Sequence, residues 1–258
     1  MGRPSGLPIC LLPMACSRRR SRPGREVNRT PMDVVLLYST PDPERAVAAA
    51  ARLCYAPVGA AELLDTMSEA AVRKVLKTII DSGHHSALEH ASYTFAIDGV
   101  SRAMTHQLVR HRLASYNQQS QRYVSFAERP AFVVPPAVAA DPAAAGRFRG
   151  AVDAAFIAYR ELIELGVEPE DARYLLPNAT ETKIVVTMNV RELLHFFTLR
   201  CCNRAQWEIR EVAQRMLELA EPTAPYIFMD AGAACRRGPC PEGKMTCGTP
   251  YPRAPRRD

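Results

Sequence analysis

The stretch that decides the reading is Arg110-His111-Arg112-Leu113-Ala114-Ser115-Tyr116-Asn117-Gln118-Gln119-Ser120-Gln121-Arg122-Tyr123. Three arginines, a histidine, two serines and several side-chain amides stand here with almost nothing apolar between them. A segment of this kind cannot form core. Guanidinium forks suit phosphates and planar carbonyl edges, while amides and hydroxyls bond the polar rim of a heteroaromatic ring. Read as chemistry it is a nucleotide site; the plain alternative is a solvated basic loop. Its polar density and lack of periodicity predict an irregular, ligand-ordered loop.

The flanks are regular. Upstream, Val34 to Tyr38 reads as a strand, and Asp42 caps a helix that has Pro43 at its first position and runs to about Cys54. Ser68 caps a second helix, with Val72, Leu76, Ile79 and Ile80 at helical spacing until Gly83 stops it. Tyr93, Phe95 and Ile97 alternate with polar or small residues as in a half-buried strand that Asp98-Gly99 ends, and Ser101 caps a helix carrying Arg102 and Gln107. Downstream, Phe132 to Val134 is a short extended piece, and Asp141 caps a long helix to about Leu165 that Gly166 closes. A shorter helix spans Glu168 to Leu176, Lys183 to Met188 reads as a strand, and helices follow from Val190 to Leu199 and from Arg204 to Leu219. Strands and helices interspersed without βαβ repetition predict an α+β fold.

The 258 residues, 47% hydrophobic, suffice for one domain with decorated ends. A formal net charge of +6 and a pI near 9.0 are values common in nucleic-acid binders, so the location of the charge matters. Residues 1–31 hold seven arginines against Glu26 alone, which accounts for the whole excess; residues 32–258 balance at 26 basic and 26 acidic. A folded body without net charge argues against a polynucleotide partner and for a mononucleotide ligand. The leader's apolar patch, Leu7 to Cys16, is broken by prolines and makes a poor signal peptide. Residues 1–31 are therefore read as a disordered basic leader, with translation expected to start naturally at Met32. No apolar run approaches the roughly 20 residues that span a bilayer, so no membrane association is expected. Eight cysteines without an export signal predict reduced thiols in a cytoplasmic protein.

The spacing Arg110-His111-Arg112, Ser115, Asn117, Ser120, Arg122-Tyr123 resembles the signature of the flavin-dependent thymidylate synthases, the ThyX family. The similarity continues in Gly83-His84-His85-Ser86-Ala87-Leu88-Glu89-His90 and in Asn189-Val190-Arg191-Glu192-Leu193-Leu194-His195-Phe196-Phe197-Thr198-Leu199-Arg200. It spans about residues 33 to 230, so the domain is expected at 32–230, with an irregular Cys-, Gly- and Pro-rich tail at 231–258.

The resemblance implies a single domain with a mostly antiparallel sheet packed by helices, assembled as a homotetramer. It implies FAD as cofactor, dUMP as substrate, and NADPH and 5,10-methylenetetrahydrofolate as co-substrates; dTMP and tetrahydrofolate are the products. The implied dUMP contacts are Gln107, Leu108, Val109, Arg110, Gln118, Gln119, Ser120, Gln121, Arg122, Arg173 and Arg200, with Arg102 a further phosphate candidate. The implied flavin contacts are His84, Ser86, Arg110, His111, Arg112, Gln118, Asn189, Val190, Arg191 and His195. A glycine-rich dinucleotide fingerprint is missing, so the arginine loop must serve the flavin instead. With several subunits sharing a site, the loop on one chain is expected to meet Arg173 and Arg200 of another.

Methylating C5 of a uracil requires electron density pushed into the ring. One route is a cysteine adding to C6, for which Cys201 and Cys202 are the candidates. The other is a cation at the N3 and O2 edge that stabilises an ionised uracil, a role suited to an arginine with two coplanar donors. By resemblance Arg200 is that catalytic arginine. An NADPH-flavin oxidoreductase without carbon transfer and a non-catalytic nucleotide-binding protein are the competing functions.

Arg204 stands where some relatives carry a histidine near the flavin. In the tail, Cys235, Cys240 and Cys247 lack the paired CxxC spacing of strong zinc sites, so free thiols are expected. Zinc is the lesser reading, with Cys201 or Cys202, but not both, as a further ligand.

Overall fold

The computed structural model describes residues 31–124, 126 and 128–254. Residues 1–30, and with them the reading of the basic leader, lie outside the described residues. The elements run β1 (Asp33–Ser39), α1 (Pro43–Leu53), α2 (Ala60–Thr66), α3 (Glu69–Asp81), a 3-10 turn at His85–His90, β2 (Ser92–Ser101), α4 (Arg102–Leu108) and β3 (Ala114–Gln118). They continue with α5 (Pro136–Ala139), α6 (Pro142–Glu164), α7 (Pro169–Ala172), β4 (Glu181–Asn189), α8 (Val190–Arg200), α9 (Trp207–Ala220) and α10 (Pro225–Phe228).

The four strands form one antiparallel sheet in the order β1-β2-β4-β3. Alternation decides which face is buried. Tyr93, Phe95 and Ile97 of β2 and Ile184, Val186 and Met188 of β4 point to one side and are nearly or completely buried. Helices α4, α8 and α9 pack against strands of that sheet, and Leu193, Phe196, Phe197, Ile209, Val212 and Met216 complete the core. Each such large side chain contributes about 1.5–3 kcal/mol by leaving water. On β1, Val35 and Leu37, each 43% exposed, point away from that core. Helix α6 belongs to a smaller cluster of Phe156, Tyr159 and Ala172, joined by Leu162, Ile163 and Leu176.

Local chemistry sets the boundaries. Asp42, Ser68, Ser101, Asp141 and Asn189 each accept a hydrogen bond from a backbone N–H in the first turn of α1, α3, α4, α6 and α8. Gly166 leaves α6 at φ 85°, a conformation that glycine adopts without cost.

The structure differs from the expectations at five points. Asp98-Gly99 does not end β2; Gly99, at φ 70°, lies in a register shift after which the strand continues to Ser101. Helix α2 has no strong sequence signal, because Gly59 supplies no side-chain cap. Helix α7 is a single turn that passes into a 3-10 turn at Arg173–Leu175. Helix α9 starts at Trp207, since Gln206 rather than Arg204 supplies the cap, accepting from the N–H groups of Glu208 (3.0 Å) and Ile209 (3.1 Å).

The fifth difference concerns the signature segment. Five of its fourteen residues are strand: Ala114 to Gln118 pairs with Met188 to Ile184 at the sheet edge. An edge strand needs only one partner and tolerates polar side chains on its open face, so periodicity of hydrophobicity could not reveal it. The turn entering β3 is held by Tyr116, whose hydroxyl lies 2.8 Å from the carbonyl oxygens of both Leu108 and His111.

Candidate active site

Three sources feed the site: α4 with the turn into β3, the turn after α7, and the C-terminal end of α8. Ser101 anchors the first. Its N–H and Oγ donate to the buried carboxylate of Glu208 at 2.7 and 2.6 Å, while its Oγ accepts from the N–H of Met104 at 3.0 Å. A carboxylate on α9 thus holds the start of the helix that carries Arg102 and Gln107.

At the end of α8, the Nε–H of Arg200 donates to Nε2 of His111 at 3.0 Å. The imidazole must present a lone pair there, so its proton sits on Nδ1, directed at Oε1 of Glu192, 3.3 Å away. Both partners are buried, each 5% exposed. Burial foremost, then Arg200 and His195, pull the His111 pKa down to about 4, so the ring is neutral at physiological pH. Burial raises the Glu192 carboxyl, an effect that the nearby His195 partly offsets. With Nε committed, Arg200 keeps both Nη groups for a ligand; among the described residues no carboxylate pairs with it. Burial and the neighbouring Arg110 both disfavour its charge.

Arg102 and Arg173 are a second pair of like charges that interact. Arg102 is disfavoured as a cation by burial and then by Arg173. Arg122 pairs with Glu170 at 2.8 Å, and the Nε of Arg173 donates to the backbone carbonyl of Glu170 at 3.0 Å. Partly buried guanidinium groups that disfavour one another's charge suit an anion, because a bound phosphate relieves the repulsion. Gln118 donates through Nε2 to the hydroxyls of Thr105 (3.0 Å) and Thr182 (3.3 Å), leaving its carbonyl oxygen as an acceptor.

Within one chain Arg200 already bonds His111, and Arg122 shares Glu170 with Arg173, so these contacts do not await a second chain. Leu108 and Val190 have no exposed surface, so both serve the core. Val109, Arg110 and Arg112 are exposed, Gln107, Gln119, Ser120 and Gln121 half-buried. Asn189 caps α8 by accepting from the N–H of Glu192 at 2.9 Å.

The remaining flavin candidates line two adjoining hollows. One, of about 750 Å³, has Arg191, Glu192, His195, Leu113, His85 and Arg237 in its wall. The other, of about 490 Å³, includes His84, Ser86, His90 and again Arg191. Arg191 therefore stands between them, tied to Glu89 at 2.5 Å and joining two motif blocks far apart in sequence. Guanidinium and imidazole donors beside apolar Leu113 and Leu88 suit a ring with polar edges and a charged tail, so the residues present fit a flavin nucleotide. Sequence reasoning missed Glu192, Glu170, Glu208 and Tyr116. Glu192 alone left a trace, as an acid on the face of α8 that otherwise carries Val190, Leu193, Phe196 and Phe197.

Cysteine chemistry is disfavoured at Cys201. Cys201 is 5% exposed, and burial pushes its thiol up to about 12, so a thiolate is not available there.

Fold and site together define an α+β protein whose arginine-rich, anion-receptive surface rests on a four-stranded antiparallel sheet. The family model described as thymidylate synthase complementing protein matches residues 35–226, and the chain belongs to this family. The flavin-dependent thymidylate synthase of Geobacter sulfurreducens is 59% identical, with 84% of this chain and 94% of the relative covered. That of Clostridium tetani is 47% identical over 83% of this chain and 92% of the relative. That of Pyrococcus furiosus is 45% identical over 81% and 89%. Among solved structures, the UMP/dUMP methylase PolB from Streptomyces cacaoi, bound with 5-Br dUMP, superposes with a TM-score of 0.66 at 25% identity, covering 78% of this chain and 94% of that one.

Proposed function

We propose that the chain reductively methylates C5 of dUMP to give dTMP, with 5,10-methylenetetrahydrofolate as carbon donor and NADPH as reductant. The observation that carries this reading is the guanidinium of Arg200, held through Nε by a neutral histidine and open at its Nη edge. Two coplanar donors at the N3 and O2 edge of uracil stabilise the ring as an anion, and its enolate-like electrons make C5 nucleophilic. A cationic His111 could not accept from Arg200, so its low pKa is part of the arrangement.

Arg102 and Arg173 hold the 5′-phosphate, with Arg122 as a further donor once Glu170 yields part of its pairing. The carbonyl oxygen of Gln118, with its Nε2 committed to Thr105 and Thr182, accepts from the nucleotide. Around FAD, His84, Ser86, Arg191 and His195 supply donors and Asn189 fixes the helix start that orients Arg191 and His195. When bound, that cofactor supplies the hydride that completes the methyl group.

Assembly as a homotetramer fits the open sheet face, where Val35 and Leu37 expose apolar surface beside Thr94 and Val185. No helix among the described residues is long and apolar enough to cross a membrane, and six free thiols among them accord with a cytoplasmic setting. The test is dTMP formation from dUMP, NADPH, FAD and methylenetetrahydrofolate by the purified chain. NADPH oxidation without dTMP would reduce the protein to a flavin oxidoreductase, and failure to bind flavin would leave only a nucleotide-binding protein.

A further inference from the structure

The tail is the one sequence motif that methylation leaves unused. After α10 the chain turns back over the C-terminal end of α8, where Cys235, Cys240 and Cys247 line a single cavity of about 320 Å³. The fourth cysteine in its wall is Cys202, from the loop between α8 and α9, and the adjacent Cys201 is absent from it. Neighbouring residues leave a helix end in different directions, so only one of the pair can face the tail. Here it is Cys202, while Cys201 is packed in the core.

Hydrogen bonds converge on two of the tail sulfurs. Cys247 Sγ accepts from the N–H and Oγ1 of Thr249 at 3.4 and 3.5 Å, across a turn that Gly248 makes at φ 74°. Cys235 Sγ accepts from the N–H of Tyr251 at 3.3 Å. Asn203, next to Cys202, ties the two sides together: its Nδ2 donates to the carbonyl of Thr249 at 3.1 Å and its Oδ1 accepts from the Tyr251 hydroxyl at 2.8 Å. Arg204 reaches across to Glu242, between Cys240 and Cys247, at 2.5 Å. Arg200 and Arg204 also line the cavity and offset the negative charge that four thiolates would concentrate there.

We propose that Cys202, Cys235, Cys240 and Cys247 form a tetrathiolate site for one structural zinc ion that clamps the tail across the loop leaving α8. Four sulfur ligands and no vacant position make such a site structural rather than catalytic. Among the described residues no three potential ligands are yet closed around a common point. Closure requires rotation of cysteine side chains into the cavity, and binding releases the thiol protons. Because the loop directly follows Arg200, the ion would also stiffen the end of α8 that presents it.

The full chain, purified under reducing conditions without chelator, is assayed for metals by mass spectrometry, with one zinc per chain expected. Cys240→Ser and Cys247→Ser each lose it, whereas Cys54→Ser, an exposed cysteine outside the cavity, keeps it. As a readout that does not depend on a variant folding, Co²⁺ added to the zinc-depleted wild-type chain gives sulfur-to-cobalt charge-transfer and tetrahedral ligand-field bands, and Zn²⁺ abolishes them. Substoichiometric zinc together with absence of those bands overturns the proposal. So does retention of zinc by Cys247→Ser, or an intact mass showing these cysteines joined as disulfides in the native chain.

Discussion

The Nε of Arg200 and the Nε2 of His111 lie 3.0 Å apart across 89 residues of sequence, with Glu192 on the far side of the ring. The contact orients a cation without neutralising it, since a neutral acceptor fixes the guanidinium plane where a carboxylate would quench its charge. His111 is in this sense a positioning residue, and Glu192 selects its tautomer.

Arg200→Ala removes the cation that activates the pyrimidine but none of the residues around the flavin hollows. The expected outcome is a fall in dTMP formation of at least about 100-fold, with flavin absorbance of the purified protein retained. Arg200→Lys keeps charge but loses the planar pair of donors and should recover only a minor part of the rate.

His111 binds a proton less readily when folded, at about 4, than in an unfolded chain, near 6.5. Its contribution to stability is complete above about pH 6.5 and is lost as pH falls toward 4, a loss on the order of 3 kcal/mol at its limit. Denaturant titrations at pH 7 and pH 4.5 should show a smaller pH-dependent loss in His111→Asn than in wild type. An equal loss in both would dissociate His111 from the acid sensitivity.

For Arg102 and Arg173, mutual repulsion in the ligand-free chain predicts opposite effects on stability and binding. Arg102→Ala should leave the melting temperature of the ligand-free chain unchanged or slightly raised, while weakening dUMP binding about 10- to 100-fold. Calorimetric titration with dUMP checks the second part, and a dUMP-induced rise in melting temperature should shrink with it.

Glu208 makes two buried hydrogen bonds to Ser101, and its removal strands an N–H and a hydroxyl away from water. Glu208→Ala should cost about 2–4 kcal/mol in chemical denaturation, and Glu208→Gln less, because one acceptor remains. A variant as stable as wild type would remove this carboxylate from the support of α4.

Legibility in the sequence tracked the range of the interaction that carried each feature. Asp42, Ser68, Ser101, Asp141 and Asn189 act on backbone groups within one turn, and the helices they begin were readable from spacing alone. Strand β3 was not, because its polar side chains carry no alternating apolar signal and its identity comes from pairing with β4, some 70 residues away. The same holds at Gly99, where the local turn signal was right but the neighbouring strand carried β2 past it.

In the candidate site, composition and motif spacing determined which chemical groups are present: fork donors, amides, imidazoles and an arginine at the end of a helix. Only the tertiary structure decided which of them meet. It set Glu192 behind His111, Arg173 against Arg102, Glu170 on Arg122, and Cys202 rather than Cys201 toward the tail. A side chain's own chemistry and its helical or strand period are local properties, written residue by residue. Its partner depends on how four strands register and which faces of the helices are buried, a choice made by the packing energy of the whole core at once.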